Sequence, residues 1–389
     1  MKFLWRNTTQ VAFGKEAVKE YIPKFVKPKS RIICTYGGGS IFKNGAHDDV
    51  QSALEALGCE VKWEGGIPAN PEFDRCVEIV KVVKEFKPDL IIAVGGGSIV
   101  DGTKFISVAS VIPDDADPWD MVINAKFPDH HIPFATVMTL PATGSEWNNG
   151  WVISRRSLNA KVSGSRCQIT YPEFSILDPK YTMTLSVRQL RNGLFDSFCH
   201  MVEQYCTGEP CPMFDSFWLS SIKEVFDIAD AIMSPNQTIE AHERLMMCAL
   251  FGLNRLFGMV KGQCWAIHTM GHQLTGVYGI DHGATLSIIM PHMYRELFEQ
   301  RKYHLAELAR FIFNAKGTDD ECAKIALKEI DNFIEKIGIA KKVSDVCEAN
   351  KSVDDLMTQL ENFTHGNPFG FQGQVSSEMA RRIYTQINV

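Results

Sequence analysis

No apolar stretch of this chain approaches the length needed to span a bilayer, which argues against an integral membrane protein. Its first residues, MKFLWRNTTQVAFG, hold neither a long apolar core nor a small-residue cleavage site, so no secretory signal is expected. Basic residues are not in excess. The formal net charge is −6, and no basic run interleaves with aromatics, so nucleic acid is not expected as a partner. Eleven cysteines occur, at positions 34, 59, 76, 167, 199, 206, 211, 248, 264, 322 and 347, but no CxxC pair. An odd number without such pairs disfavours a disulfide framework or a zinc finger, and free thiols in a reducing cytoplasm are expected. Cys206 and Cys211 flank a turn; a metal clip there is the less favoured reading. The GxGxxG dinucleotide fingerprint is missing, as are low-complexity tracts and fixed-period repeats.

What is present is an ordinary globular composition, 45% apolar and 22% charged, over 389 residues. That length exceeds one compact core and predicts two domains. The first half alternates: short apolar runs at Arg31 to Tyr36, Glu60 to Trp63, Leu90 to Val94 and Phe134 to Thr139 are separated by helical patterns at Ala46 to Leu57, Glu72 to Phe86 and Ile99 to Ala109. Strands alternating with helices predict a doubly wound, Rossmann-like parallel sheet covered on both faces. Trp151 to Leu177 reads as antiparallel strands joined by a polar loop. After Asp178-Pro179, helical periodicity dominates to the end. The expected domains are therefore 1–180, α/β and dinucleotide-binding, and 181–389, all-helical and metal-binding, with ligands in a cleft between them.

Two glycine turns follow strands. Gly95-Gly96-Gly97-Ser98 leads into a helix, where missing Cβ atoms and free N–H groups suit a phosphate. Asp101, one turn on, has the reach to cap that helix or to bond a ribose or amide. Thr139, Thr143 and Ser145 lie on the next turn and suit a diphosphate or nicotinamide, although ordinary turn chemistry explains them equally well. An earlier GGGS, Gly37 to Ser40, falls where a doubly wound domain places the adenosine ribose. It holds no acidic residue, and Ser40 with Lys43 suits a phosphate there.

The second half carries four metal-ligand candidates. Asp196 and His200 are four apart in GLFDSFCHMVEQY, on one helical face; His268 pairs with His272 in the same way; and His282 follows His268 by fourteen positions, past a loop. Any one such pair is more often plain surface or a satisfied core histidine. Together, three imidazoles and a carboxylate suit Fe(II), Zn(II) or Ni(II).

With these motifs in order, the chain resembles the iron-containing alcohol dehydrogenase family. Within it, the likeness is to bacterial NADPH-dependent aldehyde reductases and butanol dehydrogenases. FGK near Phe13, GGGS at Gly37, PANP around Asn70, GGGSIVDGTK, TLPATGSE, LDP at Leu177, GLFDSFCHMVEQY, HTMGH and DHG carry the resemblance over essentially the whole chain. It implies one divalent ion, Fe2+ or Zn2+, on Asp196, His200, His268 and His282. It implies that Gly96, Gly97 and Ser98 cradle the pyrophosphate, that Asp101, Thr139 and Thr143 lie along the cofactor, that Lys161 approaches its ribose, and that Asn70 sits near the adenine. Gly37, Gly38 and Ser40 complete the cofactor set. NAD-using members place an acid where this chain has Gly38, so NADP(H) is expected over NAD(H). The implied reaction passes hydride between the nicotinamide and a small aldehyde or primary alcohol, in a cytoplasmic homodimer. The catalytic candidates are His272, as a proton relay or a partner of the ligands, and Asp101. Two departures, the strip from Trp147 to Trp151 and the segment KGQCW, are expected to border the substrate pocket. A metal-dependent lyase or synthase on the dehydroquinate synthase-like scaffold and a non-enzymatic metal-stabilised binding protein are the alternatives.

Overall fold

The computed structural model describes residues 2–158, 160–164 and 167–387, with the backbone alone at Phe257. Six strands form one parallel sheet: β1 (Gln10–Phe13), β2 (Arg31–Thr35), β3 (Glu60–Glu64), β4 (Leu90–Gly96), β5 (Phe134–Leu140) and β8 (Phe174–Leu177), in the order β1-β8-β5-β4-β2-β3. β6 (Val152–Arg155) and β7 (Ala160–Ser163) make a separate antiparallel hairpin. Period-two alternation explains why β4 reads as an unbroken apolar run. Ile91 and Ala93 enter one core and Leu90, Ile92 and Val94 the other, and a parallel strand of this kind must be covered on both faces.

Helices supply those covers. α1 (Ala17–Phe25) and α3 (Ala46–Ala56) send Val18, Ile22, Val50 and Leu54 into the second core; between them lies the short α2 (Ile41–Asn44). α4 (Phe73–Phe86) and α5 (Gly97–Ala109) send Ile79, Val83, Val100 and Phe105 into the first, with Trp119 from α6 (Pro118–Ile123). This is the doubly wound arrangement expected.

Two details differ from the sequence reading. β8 does not extend the hairpin but lies parallel between β5 and β1. Ser175 interrupts its apolar run. The hydroxyl is buried, accepting from Thr136 Oγ1 at 2.8 Å and donating to the Glu146 carbonyl at 2.5 Å, so the strand is wholly internal despite a polar residue. β1 has no counterpart in the sequence reading, because four residues of mixed exposure give no period to read.

The rest of the chain is helical: α7 (Val187–Tyr205), α8 (Pro212–Met233), α9 (Ile239–Gly252), α10 (Ala266–Tyr278), α11 (His282–Glu296), α12 (Phe298–Phe313), α13 (Asp319–Ile337), α14 (Val353–Thr364) and α15 (Ser377–Ile387). The chain divides into two compact units. One comprises Arg6–Ser186 together with Gln237–Asn254, and the other Val187–Asn236 with the chain from Arg255 onward and the extreme N-terminal segment. The expected helical domain, 181–389, includes α9, whereas Gln237–Asn254, which holds α9, falls with the sheet-bearing unit. There Thr182 Oγ1 and His242 Nδ1 lie 2.7 Å apart, and Gly144, at φ 60°, leaves room for the Ala249 carbonyl, which a Cβ would meet at 2.7 Å. No described helix is long and apolar enough to cross a membrane.

Candidate metal centre and cofactor turns

α7 is buried on every side from Gly193 to Tyr205, which makes it the central helix of its unit. It packs against α8 and α11, and α11 packs against α10. Gly283 permits the closest of these approaches, because a Cβ there would lie 2.4 Å from the Asn192 carbonyl of α7. His282 is thereby brought to the helix that carries Asp196 and His200.

Three of the sequence-predicted ligands, Asp196, His268 and His282, form one donor group, and His200 lies beside Asp196. Asp196 Oδ1 lies 3.5 Å from His200 Nδ1, 3.7 Å from His268 Nε2 and 3.7 Å from His282 Nε2. Ligand atoms of Asp196, His268 and His282 fall within 4.8 Å of one another. The His200 and His268 rings stack at 4.6 Å, and His268 and His282 meet edge-on at 5.2 Å. Asp196 Oδ1, His200 Nδ1 and His268 Nε2 are buried without any hydrogen-bond partner. Orphaned buried polar atoms are costly, and three of them converging on one point fit a cation that they would all hold.

The electrostatics of Asp196 and His200 agree with that reading. Burial would raise the Asp196 carboxyl, but the surrounding imidazoles, His200 first, hold it well below the usual range. Burial lowers His200 to about 4, against the pull of Asp196, so the ring is held neutral, as a ligand must be. Burial also pulls on His268, but Glu203 and Asp196 outweigh it and push that ring up to about 9.

Glu203 was not singled out in the sequence, and it completes the centre. Its Oε1 accepts from the Ile267 N–H at 2.7 Å, and its Oε2 bonds His268 Nδ1. A carboxylate on Nδ1 fixes the tautomer and leaves Nε2 for the ion. The available signal was spacing: Glu203 lies on the same helix as Asp196 and His200, and a carboxylate in that apolar segment needs a partner. Cys199 Sγ, 3.9 Å from Glu203 Oε2, makes a second possible donor group with Glu203 and His268. Cys206 and Cys211 are free thiols and belong to neither described donor group. His272 is partly exposed, with its ring 5.2 Å from that of His282 and 6.4 Å from that of His268.

The other unit gathers most of the cofactor candidates. Gly37 is closely packed: a Cβ would meet the Ile67 carbonyl and Ile99 Cδ1, each at 3.1 Å. Gly97 is tighter still, since a Cβ would lie 2.2 Å from Thr143 Oγ1, so the turn after β4 and the turn after β5 are in contact. Gly96 abuts Leu140. The Asn70 N–H donates to Ser98 Oγ at 3.2 Å, and Lys161 Nζ donates to Asn70 Oδ1 at 2.9 Å. Asn70 itself sits in the left-handed region, at φ 56°. Gly38 and Ser40 are exposed, and a Cβ on Gly38 would meet nothing within 4 Å. Thr139 is buried in β5.

Asp101 departs from expectation. It does not cap its helix, because both carboxylate oxygens are engaged elsewhere: Oδ1 accepts from Ser145 Oγ at 2.6 Å and Oδ2 from the Val152 N–H at 2.9 Å. Nearby, the buried Lys104 ammonium donates to the carbonyls of Ser145, Asn148 and Gly150 at 2.7–2.8 Å. Asn148, Asn149 and Trp151 of the strip from Trp147 to Trp151 are likewise internal, and Trp147 is partly exposed. Trp151 is 2% exposed within the first core, Asn148 and Asn149 donate to backbone carbonyls, and Trp147 packs on Phe251. The amide N–H groups of Asn148 and Asn149 thus serve the fold.

A parallel doubly wound sheet with glycine turns and a helical unit that gathers Asp196 with three histidines is the architecture expected of a metal-dependent, nucleotide-using enzyme. Residues 8–179 match the model of the family described as iron-containing alcohol dehydrogenase, and residues 192–369 match that of the C-terminal part of the same family. The chain is 36% identical to the NADPH-dependent aldehyde reductase YqhD of Escherichia coli, covering 98% of each, and 31% identical to a probable NADH-dependent butanol dehydrogenase of Bacillus subtilis, covering 94% and 95%. The Escherichia coli YqhD crystal structure superposes with a TM-score of 0.94 at 35% identity, covering 99% of this chain and 98% of that one. The NADH-dependent butanol dehydrogenase A of Thermotoga maritima gives 0.93 at 26% identity, with the same coverage. The chain belongs to the iron-containing alcohol dehydrogenase family, and it is an enzyme of the alcohol dehydrogenase and aldehyde reductase class.

Proposed function

We propose that this chain reduces small aldehydes to primary alcohols with NADPH, and runs the reverse oxidation, using one divalent ion held by Asp196, His200, His268 and His282. The observation that carries the reading is the convergence of those donor atoms around Asp196 Oδ1, with His268 oriented from behind by Glu203. Fe(II) is the ion we propose, in keeping with the family. When bound, such an ion supplies Lewis acidity to a carbonyl oxygen. Hydride passes from C4 of the reduced nicotinamide to the carbonyl carbon, and a proton completes the alcohol. His272, partly exposed and beside His282, is our candidate for carrying that proton.

The cofactor assignment follows the turns. Gly96, Gly97 and Ser98 receive the pyrophosphate, Thr139 and Thr143 line the cofactor, and Asn70 with Lys161 holds its adenosine side. Gly37, Gly38 and Ser40 meet the 2′-phosphate. The open, neutral Gly38 supports NADPH over NADH, as does the aldehyde reductase relative. Asp101, its oxygens bound to Ser145 and Val152, acts by holding the second turn in place rather than at the reacting atoms. A cytoplasmic homodimer is proposed, the eleven free cysteines favouring a reducing compartment. The lyase or synthase reading finds no support in the family models or in these relatives.

The test is a steady-state comparison of NADPH and NADH over a panel of aldehydes, on protein of measured metal content. Consumption of NADPH with short aldehydes is expected. No turnover of any aldehyde by metal-loaded protein would overturn the reading.

A further inference from the structure

Resting on that reading, we propose that Trp265 is a specificity-determining wall of the reaction centre, and that the segment from Lys261 to Trp265 is a rigid bracket built to hold its indole against the ligand histidines. The ring of Trp265 meets His268 edge-on at 5.3 Å and His200 at 6.0 Å. His272 flanks the other side of the cluster, beside His282. Both flanking residues are partly exposed, whereas Glu203 and Cys199 on the inner side are fully buried. A carbonyl compound reaching the open side therefore has an indole face or edge along one flank.

The backbone there is under constraint. Trp265 sits in the left-handed region, at φ 53° and ψ 17°, as the residue before α10. A bulky aromatic residue adopts that conformation only where its surroundings over-determine it, and such positions cluster at functional sites. The surroundings here do so. Trp265 Nε1 donates to Gln263 Oε1 at 2.8 Å; Gln263 Nε2 donates to Gln204 Oε1 at 3.4 Å; and Gln204 Nε2 donates to the His200 carbonyl at 2.7 Å. The indole is thus tethered, through two amides, to the helix that carries two of the metal ligands. Gly258 makes room for this relay, because a Cβ there would lie 2.4 Å from Gln263 Nε2.

The start of the segment is anchored as firmly. Lys261 has a fully buried ammonium, 2.5 Å from Asp215 Oδ1 and 3.1 Å from both the Tyr205 carbonyl and His304 Nε2. Thr207 Oγ1 bonds the Gly262 carbonyl, and Arg301 Nη2 approaches Cys264 Sγ at 3.6 Å. Burying the Lys261 and Arg301 cations and the His304 ring to fix a five-residue connection is expensive for a plain loop. It is intelligible for one whose last residue must not move. A rigid indole admits unbranched aldehydes and rejects those bulky next to the carbonyl.

The test has two arms. In the first, kcat/KM is measured for propanal and for cyclohexanecarbaldehyde on the wild type, Trp265→Ala and Trp265→Phe, all at measured metal content. We expect Trp265→Ala to raise the ratio of bulky to short substrate by about tenfold or more. Gln263→Leu, which keeps the indole and cuts its tether, should move the ratio the same way by less, and it serves if Trp265→Ala does not fold. A ratio unchanged within about twofold overturns the specificity role. In the second arm, chelator-stripped protein is reloaded with Co(II) or Zn(II) while tryptophan fluorescence is followed. Open-shell Co(II) should quench part of the emission of the seven tryptophans, and Trp265→Phe should lose that part, whereas closed-shell Zn(II) should not quench. Equal quenching in Trp265→Phe overturns the placement. If the wild type reduced no aldehyde, the functional reading would fall, while the fluorescence arm would still decide where Trp265 lies.

Discussion

Two buried polar clusters, one in each unit, have opposite character. Around Lys104 the valences are filled: its ammonium reaches three carbonyls, and Asp101 beside it accepts two bonds. Around Asp196 they are not, and three buried atoms face one another with no hydrogen-bond partner. The first cluster costs desolvation and is compensated by the fold itself; the second leaves compensation to something else. Saturation marks structure, and convergent unsaturation marks the site. Glu146 shows that unsaturation alone is not enough. Both of its oxygens are buried without a hydrogen-bond partner, and burial pushes the carboxyl up to about 7, so the proton itself offsets the burial below that pH.

The largest expected effect comes from opening the centre. His268→Ala should lose the bound ion and lower aldehyde turnover on the order of a thousandfold or more, with the sheet-bearing unit still folded by circular dichroism. Activity within about tenfold of wild type would break the contrast.

Lys104→Met should act on stability instead. It strands three carbonyls and leaves Asp101 without its neighbouring cation, at a cost of about 3–5 kcal/mol in chemical denaturation. A neutral result would mean that the saturated cluster is not structural.

Glu146 gives a pH test. Its carboxyl rises from an ordinary 4.5 to about 7 in the fold, so the folded state binds more protons than the unfolded one between those values. That part of the stability is intact below about 4.5 and is lost as pH climbs to about 7, some 3 kcal/mol in all. Glu146→Gln should remove that fall, read as the difference between the two proteins' stability curves. Parallel curves would show that the carboxyl is not held neutral.

Glu203→Gln should be the mildest. The His268 ring keeps a hydrogen-bond partner but loses its anionic one, and metal affinity should drop about 10–100-fold, measured by competition with a chelator. No change would remove Glu203 from the centre.

Much of this was legible in the sequence. Short unbroken apolar runs made β2, β4 and β5 visible, and helical spacing made both halves of the ligand set visible. What escaped did so for physical reasons. β8 hides behind a buried serine whose hydroxyl is satisfied by Thr136 and Glu146. The excursion of α9 into the sheet-bearing unit depends on contacts at Gly144 and Thr182 that no local pattern announces. The Trp147 to Trp151 strip looks like a pocket lining because aromatic and amide residues serve cores and ligands alike. Trp265 is the reverse case: it closes the KGQCW segment that the sequence marks as a pocket border, but its left-handed backbone and two-amide tether appear only in three dimensions.

The central claim is tested most directly by anomalous scattering from a crystal of the metal-loaded protein. One strong peak is predicted, within about 2.0–2.3 Å of a carboxylate oxygen of Asp196 and a ring nitrogen of each of His200, His268 and His282. A peak on Cys199 and Glu203 instead, or none near Asp196, would contradict it.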